Sequence, residues 1–513
     1  MALLKGYADA LRRDGWEIIL MDAGDAISGS AVAQFDSGKS VAKVMGAMGY
    51  RMVAPGNHEF DYNLSGQDTG YYTTVILPLI AAHSPATVSA VCLNLTYRGG
   101  SIPGIHTEPV LAHDGHMPGG DGVRIAVAGI LTPYTATQVL KSGVSGYDFG
   151  LVERDGKSDH AATRRALLGR AAEAVKQYDR PLDIVIFLSH LGHDDSDDYA
   201  HGQISGRDLA LVPNVDIIAD AHSHNRAAPE FIGDAVYVNG GRYLEQFVEI
   251  TLTAENGCVT SHVALRGPDD LLHARPSEAI TALLLDITRE MGLEDVLFTL
   301  DPKTPMTDEN ITSESVPLGR FVCRVMRDIA GADIALYNSG GIRAGLPPGP
   351  VTVGALYDTI PFQNDLVTFE LDHADILRLF STLPARGSNG FPQFHGVTVY
   401  AWENEHGELE IAGALDSQGV PIGPGQTYLV AINSFMAEGG DGYSFPPEKL
   451  AANHGDTAAG IIRHLRRNPP GDPGSLAGKS ALLLYSGKQE AERAWEKAVM
   501  ERVPEPAVST KVS

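Results

Sequence analysis

Arg51-Met52-Val53-Ala54-Pro55-Gly56-Asn57-His58-Glu59-Phe60-Asp61 begins as a short apolar run, turns at a glycine and ends in a cluster of polar side chains. That order is how a buried strand of an α/β sheet delivers functional groups beyond its carboxyl end. The same grammar recurs along the first half of the chain. Glu17-Ile18-Ile19-Leu20-Met21 leads into Asp22-Ala23-Gly24-Asp25, Leu182 to Leu188 leads to His190, and Val215 to Ala219 leads to His222-Ser223-His224. Val123 to Ile130 is a further run of the same kind. Helical spacing, as in Ala161 to Gln177, lies between several of these runs, so they read as buried strands of an α/β domain.

Working outward, the pattern turns β-rich from Val236 to Val263, where Phe247 to Leu252 alternates as a half-buried strand does. A helical stretch, Ser277 to Met291, then leads through Asp301-Pro302-Lys303-Thr304-Pro305 into a second unit that mixes helices with short strands. The expected division is a first domain over 1–270, a linker with a helix over 271–312, a second domain over 313–490, and a terminal helix and tail over 491–513. A length of 513 residues exceeds one ordinary core and agrees with two domains. No apolar stretch approaches the roughly 20 residues that span a bilayer. The net charge of −25 argues against a nucleic-acid-binding surface, which needs clustered Lys and Arg. A small anionic substrate is compatible with it where local cations invert the field. Cys92, Cys258 and Cys323 form no CxxC pattern and are expected to be buried thiols. Oligomeric state is not legible in the sequence.

The chemistry gathers at the strand ends. Taken singly, Asp25 reads as a helix cap, Gly56-Asn57 as a turn, His190 as a core histidine and His222-Ser223-His224 as an exposed loop. Four such coincidences, each ending an apolar run, point instead to ligands converging on one place. Carboxylate, amide oxygen and imidazole together suit a borderline divalent ion better than calcium, which prefers oxygen cages.

Gly24-Asp25, Gly56-Asn57-His58-Glu59-Phe60-Asp61, Ser189-His190-Leu191-Gly192 and His222-Ser223-His224 follow one another as the metal motifs of the calcineurin-like metallophosphoesterases do. Further along stand Asn338-Ser339-Gly340-Gly341-Ile342-Arg343, Ile360-Pro361-Phe362, Asn433-Ser434-Phe435 and Gly439-Gly440-Asp441-Gly442-Tyr443. With these, nearly the whole chain resembles the 5'-nucleotidases, in which a C-terminal domain is appended. The resemblance implies a layered α/β/β/α metallophosphoesterase domain followed by a smaller mixed α/β domain. It implies two divalent ions (zinc, manganese, cobalt or iron), bridged by Asp25, with Asn57, His190 and His222 completing one site and His224 joining the other. It gives catalysis to His58, oriented by Asp61, and substrate binding to Asn338, Gly340, Gly341, Arg343, Phe362, Phe435 and Asp441. Phe362 and Phe435 would sandwich the base of a nucleotide held between domains that move. UDP-sugar hydrolysis and 2',3'-cyclic phosphodiesterase activity occur on similar frameworks, and a nucleotide-binding protein without catalysis is the alternative of another class. Relatives of this architecture are extracellular, periplasmic or at the cell surface.

The chain departs from the family pattern in places. An Asp-x-His strand is expected upstream of the bridging aspartate, and Met1 to Asp25 contains no such triplet. One metal site is therefore expected to be incomplete, the resemblance implying a lost chain start and an exposed sheet edge. Asp220-Ala221 stands where Gly-Gly is usual, His395 where a small residue is expected, and 310–318 lacks an arginine that relatives place there, Arg320 lying beyond it.

Overall fold

The computed structural model describes all residues except 63–69, 116–121, 140, 194–201, 302, 304–305, 471–481 and 501–513. Part of the expected linker, Pro302, Thr304 and Pro305, and the expected tail 501–513 thus lie outside the described residues. The chain forms two compact units, Met1–Met291 and Gly292–Ser513.

The first unit is built on two sheets. In one, the strands Leu20–Asp22, Tyr50–Val53, Ser89–Val91 and Ile105–His106 lie side by side, all parallel. In the other, the order is Arg226–Ile232, Ala235–Gly240, Ile217–Asp220, Asp183–His190, Arg124–Leu131, Val110–Asp114, with a parallel centre and antiparallel edges. Asp183–His190 is buried at every position, as a central parallel strand covered on both faces must be. Its alternation sorts the two cores. Ile184, Ile186 and Leu188 pack with Met52, Ala54 and Val91 of the other sheet, while Val185 and Phe187 pack on Leu167, Ala171 and Val175 of the helix His160–Val175. Helices Lys39–Met48 and Leu77–His83 bury Val44, Met45, Met48 and Ile80 beside the first sheet. Two sheets packed face to face with helices outside them form the α/β/β/α layering that the family resemblance implies.

Two expectations change. The run Glu17 to Met21 reads as a buried strand, but only Leu20–Asp22 pairs, and it is half-buried because it stands at the edge of its sheet. Cys258 is exposed, unlike Cys92 and Cys323, because it opens the second strand of a two-stranded hairpin, directly after the Asn256-Gly257 turn.

The second unit centres on a five-stranded sheet ordered Pro392–His395, Ile334–Asn338, Thr427–Asn433, Asp365–Asp372, Leu450–Asp456. The helix Pro317–Ala330 buries Leu318, Phe321, Val322, Cys323, Val325 and Met326, and Ile376, Leu379 and Phe380 of His373–Ser381 join the core that contains Ile334, Leu336 and Val430. His395, on the edge strand, is buried, and that burial, with Arg324 and Arg327 near it, lowers its pKa to about 4.

Asp183 fixes the end of its strand remote from His190. Its carboxylate accepts from Arg124 Nε at 2.8 Å and from the Arg180 guanidinium at 2.9 Å. Burial opposes its charge, yet the two guanidiniums hold its pKa below 3.8, at about 2. A depressed carboxylate contributes stability in full above the unfolded value and loses it as pH falls through the folded one. Asp183→Asn is expected to cost about 2 kcal/mol at pH 7, discounted because both arginines keep contact with water. In urea titrations the deficit should shrink between pH 4 and pH 2, and a deficit constant over that range would disprove the pairing's role.

Candidate metal centre

Parallel strands put their following loops at one edge, and here the two sheets bring theirs together. Asp22 pairs with Val53 in the first sheet, and His190 pairs with Leu131 and Ser189 with Asp220 in the second. The loops after the strands of one sheet carry Asp25, Asn57 and His58, while the other sheet brings His190 at the end of its strand and His222 in the loop after Asp220. Two glycines allow the approach. A Cβ on Gly24 would lie 2.4 Å from the Gly56 nitrogen, and one on Gly56 would lie 2.2 Å from Asp25 Oδ1. Any other residue at either position would push the loops apart.

Glu59, only 2% exposed, ties these loops together. Its carboxylate accepts from the amides of Asp25 at 2.8 Å, Ala26 at 2.9 Å and Gly56 at 2.5 Å. Phe60 anchors the same turn, its ring meeting Tyr147 and Phe149 edge-on at 5.1 and 5.2 Å. Asp25, His222 and His224 have φ of 61°, 74° and 56°, left-handed backbone that non-glycine residues adopt at a cost of roughly 1–3 kcal/mol each. Such strain persists where the surrounding structure over-determines it.

Asp25, His190 and His222 offer ligand atoms that all lie within 4.8 Å of one another. His190 Nε2 is 2.9 Å from Asp25 Oδ2, and its Nδ1 is 2.7 Å from the carbonyl oxygen of Ala23. With Nδ1–H donated to that carbonyl, the tautomer is set and Nε2 is left for a cation, the usual arrangement of a ligating histidine. Asn57 is buried, and its Oδ1 meets no donor among the described residues, a state expected of an oxygen whose partner is an ion. Burial, with His190 close by, lowers the His222 pKa to about 3, so its ring is neutral and can offer a lone pair. Burial pushes Asp22 up to about 6 and, with the Asp25 charge beside it, Glu59 up to about 7. Although burial opposes it too, Asp25 is held far below the ordinary carboxylate value by His190 and His58. Crowded, partly or fully buried carboxylates with one orphaned amide oxygen and one neutral imidazole fit a divalent cation.

His58 stands next to this cluster. Its backbone N–H donates to Asp25 Oδ1 at 2.8 Å and its Nδ1 is 2.8 Å from Asp61 Oδ2, which also accepts from Ser28 Oγ at 2.9 Å. His224 falls outside the group of three, and its ring lies against Tyr243 with centroids 5.9 Å apart. Sequence reasoning assigns no role to Glu59 or to Gln138, whose Nε2 is 3.2 Å from His222 Nε2. Both act through contacts across loops distant in sequence, where no local pattern records them.

In the second unit, Asn433 Nδ2 donates to Asn338 Oδ1 at 2.8 Å, and Asn338 Nδ2 donates to Asp441 Oδ2 at 2.8 Å. Asn433 Oδ1 also caps the short helix Ser434–Ala437, which carries Phe435. Phe362 and Phe435 are half-buried, whereas Phe369, Phe380, Phe391, Phe394 and Phe445 are buried, so these two rings keep some contact with solvent. The Arg343 guanidinium lies 5.7 Å from the centre of the Phe362 ring. The turn that carries Gly340 and Gly341 is closely packed. Gly340 N–H donates to the Asn389 carbonyl at 2.6 Å, and a Cβ on Gly341 would lie 2.5 Å from Tyr337 Cε1. Close packing explains both.

The sequence pattern of the family "5'-nucleotidase, C-terminal domain" matches residues 296–448. The chain is 28% identical over 490 residues to the Trifunctional nucleotide phosphoesterase protein YfkN of Bacillus subtilis, covering 85% of this chain and 30% of that protein. It is 23% identical over 529 residues to a 5'-nucleotidase of Vibrio cholerae, covering 93% of this chain and 88% of the other. Among solved structures, a 5'-nucleotidase precursor of Thermus thermophilus shares the fold with a TM-score of 0.65 at 22% identity, over 90% of each chain. The chain thus spans about a third of the Bacillus relative and most of the Vibrio one. No helix among the described residues is long and apolar enough to cross a membrane.

Proposed function

The chain belongs to the 5'-nucleotidase family, and from that premise we propose that it hydrolyses nucleoside 5'-monophosphates to nucleoside and phosphate with the help of divalent metal. The observation that carries the reading is the convergence of Asp25, His190 and His222 on one place, with the orphaned Asn57 Oδ1. These four residues would hold an ion of the zinc, manganese, cobalt or iron class. Such an ion, when bound, polarises a phosphate and lowers the pKa of water. His224 is assigned, with the bridging Asp25, to a second site whose remaining ligands are not identified among the described residues.

The protein's own residues supply the rest. His58, held by Asp61 through Nδ1, presents Nε2 to the reacting phosphoryl group or to the leaving alkoxide, where it stabilises charge or gives a proton. In the second unit, Arg343 offers a planar fork to the phosphate, Phe362 and Phe435 offer their faces to the base, and Asp441, fixed by Asn338, accepts from the ribose hydroxyls. Two aromatic rings that keep some contact with solvent favour nucleotides over substrates that lack a base. We place the protein at or outside the cell surface, in keeping with a Listeria monocytogenes relative named a cell wall protein.

Phosphate release from AMP in the presence of manganese, zinc or cobalt tests the reading. Tight AMP binding without turnover at any metal would favour a binding protein. For recognition, Phe435→Ala should raise KM for AMP about tenfold, since stacking is worth roughly 1–3 kcal/mol per base, and leave p-nitrophenyl phosphate unchanged. Equal effects on both substrates would remove Phe435 from the base site.

A further inference from the structure

Of the strands ending at the candidate metal centre, Arg124–Leu131 delivers no ligand recognisable in the sequence. The turn after it carries Gln138 at the end of the short helix Thr135–Gln138, and that carboxamide reaches the ring of His222, nitrogen to nitrogen at 3.2 Å. In this orientation Gln138 Oε1 is buried and meets no donor among the described residues. Which carboxamide atom is oxygen and which is nitrogen is an assignment, settled by the hydrogen bonds that each choice allows.

A ring nitrogen carries either a proton or a lone pair. His222 Nε2, facing Gln138, cannot also face an ion, so the atom left for the cluster is Nδ1. A neutral imidazole that gives its Nδ1 lone pair to a cation carries its proton on Nε2, and that proton needs an acceptor. Gln138 Oε1 can accept it once the carboxamide is turned over; the amide nitrogen cannot. His190 shows the same logic in mirror form, giving Nδ1–H to the Ala23 carbonyl and keeping Nε2 for the cluster. Each histidine then has one nitrogen for the ion and one for a protein oxygen, as ligating histidines generally do.

We propose that Gln138 is a positioning residue of the metal centre, its side-chain oxygen accepting the His222 Nε2–H and so fixing the tautomer and ring orientation that present Nδ1 to the ion. The inference rests on the metal reading of the Asp25, Asn57, His190 and His222 group.

The test uses the full chain, stripped of metal and titrated calorimetrically with manganese, with three variants. Gln138→Leu fills the space but accepts no proton, Gln138→Glu keeps an acceptor, and Asp25→Asn removes a ligand. Leu is expected to weaken manganese binding about 10–100-fold, and Glu to restore affinity to the wild-type level or better. Nitrogen-15 spectra of zinc-loaded wild type should show His222 protonated on Nε2, a readout that does not depend on any variant folding. Unchanged affinity in Gln138→Leu, equal weakening by Leu and Glu, or a proton on His222 Nδ1 would each overturn the inference. If Asp25→Asn binds manganese as wild type does, the metal reading itself fails. Loss in Asp25→Asn with none in Gln138→Leu sinks only the role of Gln138.

Discussion

Asp25→Asn is expected to leave the protein without tightly held divalent metal and to lower kcat/KM for AMP by roughly a thousandfold or more. The substitution is nearly isosteric, and asparagine tolerates the left-handed backbone at this position, where φ is 61°. Its side-chain oxygen can still accept the His58 N–H that Asp25 Oδ1 accepts at 2.8 Å. What disappears is the negative charge that faces the buried His190 Nε2 at 2.9 Å, in partly desolvated surroundings where charges interact more strongly than in bulk solvent. A deficit of a thousandfold is about 4 kcal/mol of transition-state stabilisation. Metal content after dialysis, read by mass spectrometry beside phosphate release, separates loss of the ion from loss of fold. Full metal stoichiometry in the variant would remove Asp25 from the site, and with it the two-sheet convergence on which the reading depends.

That convergence is largely legible in the amino-acid sequence. An apolar run such as Ile184 to Leu188 can be buried on both faces only in the centre of a layered sheet, and a polar residue closing such a run lies at the edge where ligands gather. Asp25, His190 and His222 follow from residue type and position alone. What escapes the sequence depends on contacts rather than on pattern. The edge position of Leu20–Asp22 leaves no mark on a three-residue strand, and the exposure of Cys258 depends on its place in a hairpin. Glu59 looks like one more acid in a polar motif, yet it binds the amides of a loop more than thirty residues away. The close approach of Asn389 to Gly340 and of Tyr337 to Gly341 is likewise a matter of packing that no local pattern records.

His58→Ala should separate chemistry from metal binding. Among the described residues, His58 lies outside the group of Asp25, His190 and His222: its ring nitrogen Nδ1 is engaged with Asp61, and its backbone amide donates to Asp25. The variant is therefore expected to keep its metal while kcat for AMP falls about 10²–10⁴-fold, the range for a lost acid–base or charge-stabilising group. The leaving group then tells the two roles apart. The alkoxide of a nucleoside needs a proton as it departs, whereas p-nitrophenolate leaves readily without one. If His58 gives a proton, the deficit should be much smaller for p-nitrophenyl phosphate than for AMP. If it stabilises charge on the phosphoryl oxygens, both substrates should suffer alike. Asp61→Asn, which keeps a hydrogen-bonding side chain but weakens the hold on His58 Nδ1, should show the same substrate pattern at smaller amplitude. Loss of metal in His58→Ala would contradict this division of labour, because it would make the ring a ligand and leave Asp61 orienting an ion rather than a catalyst.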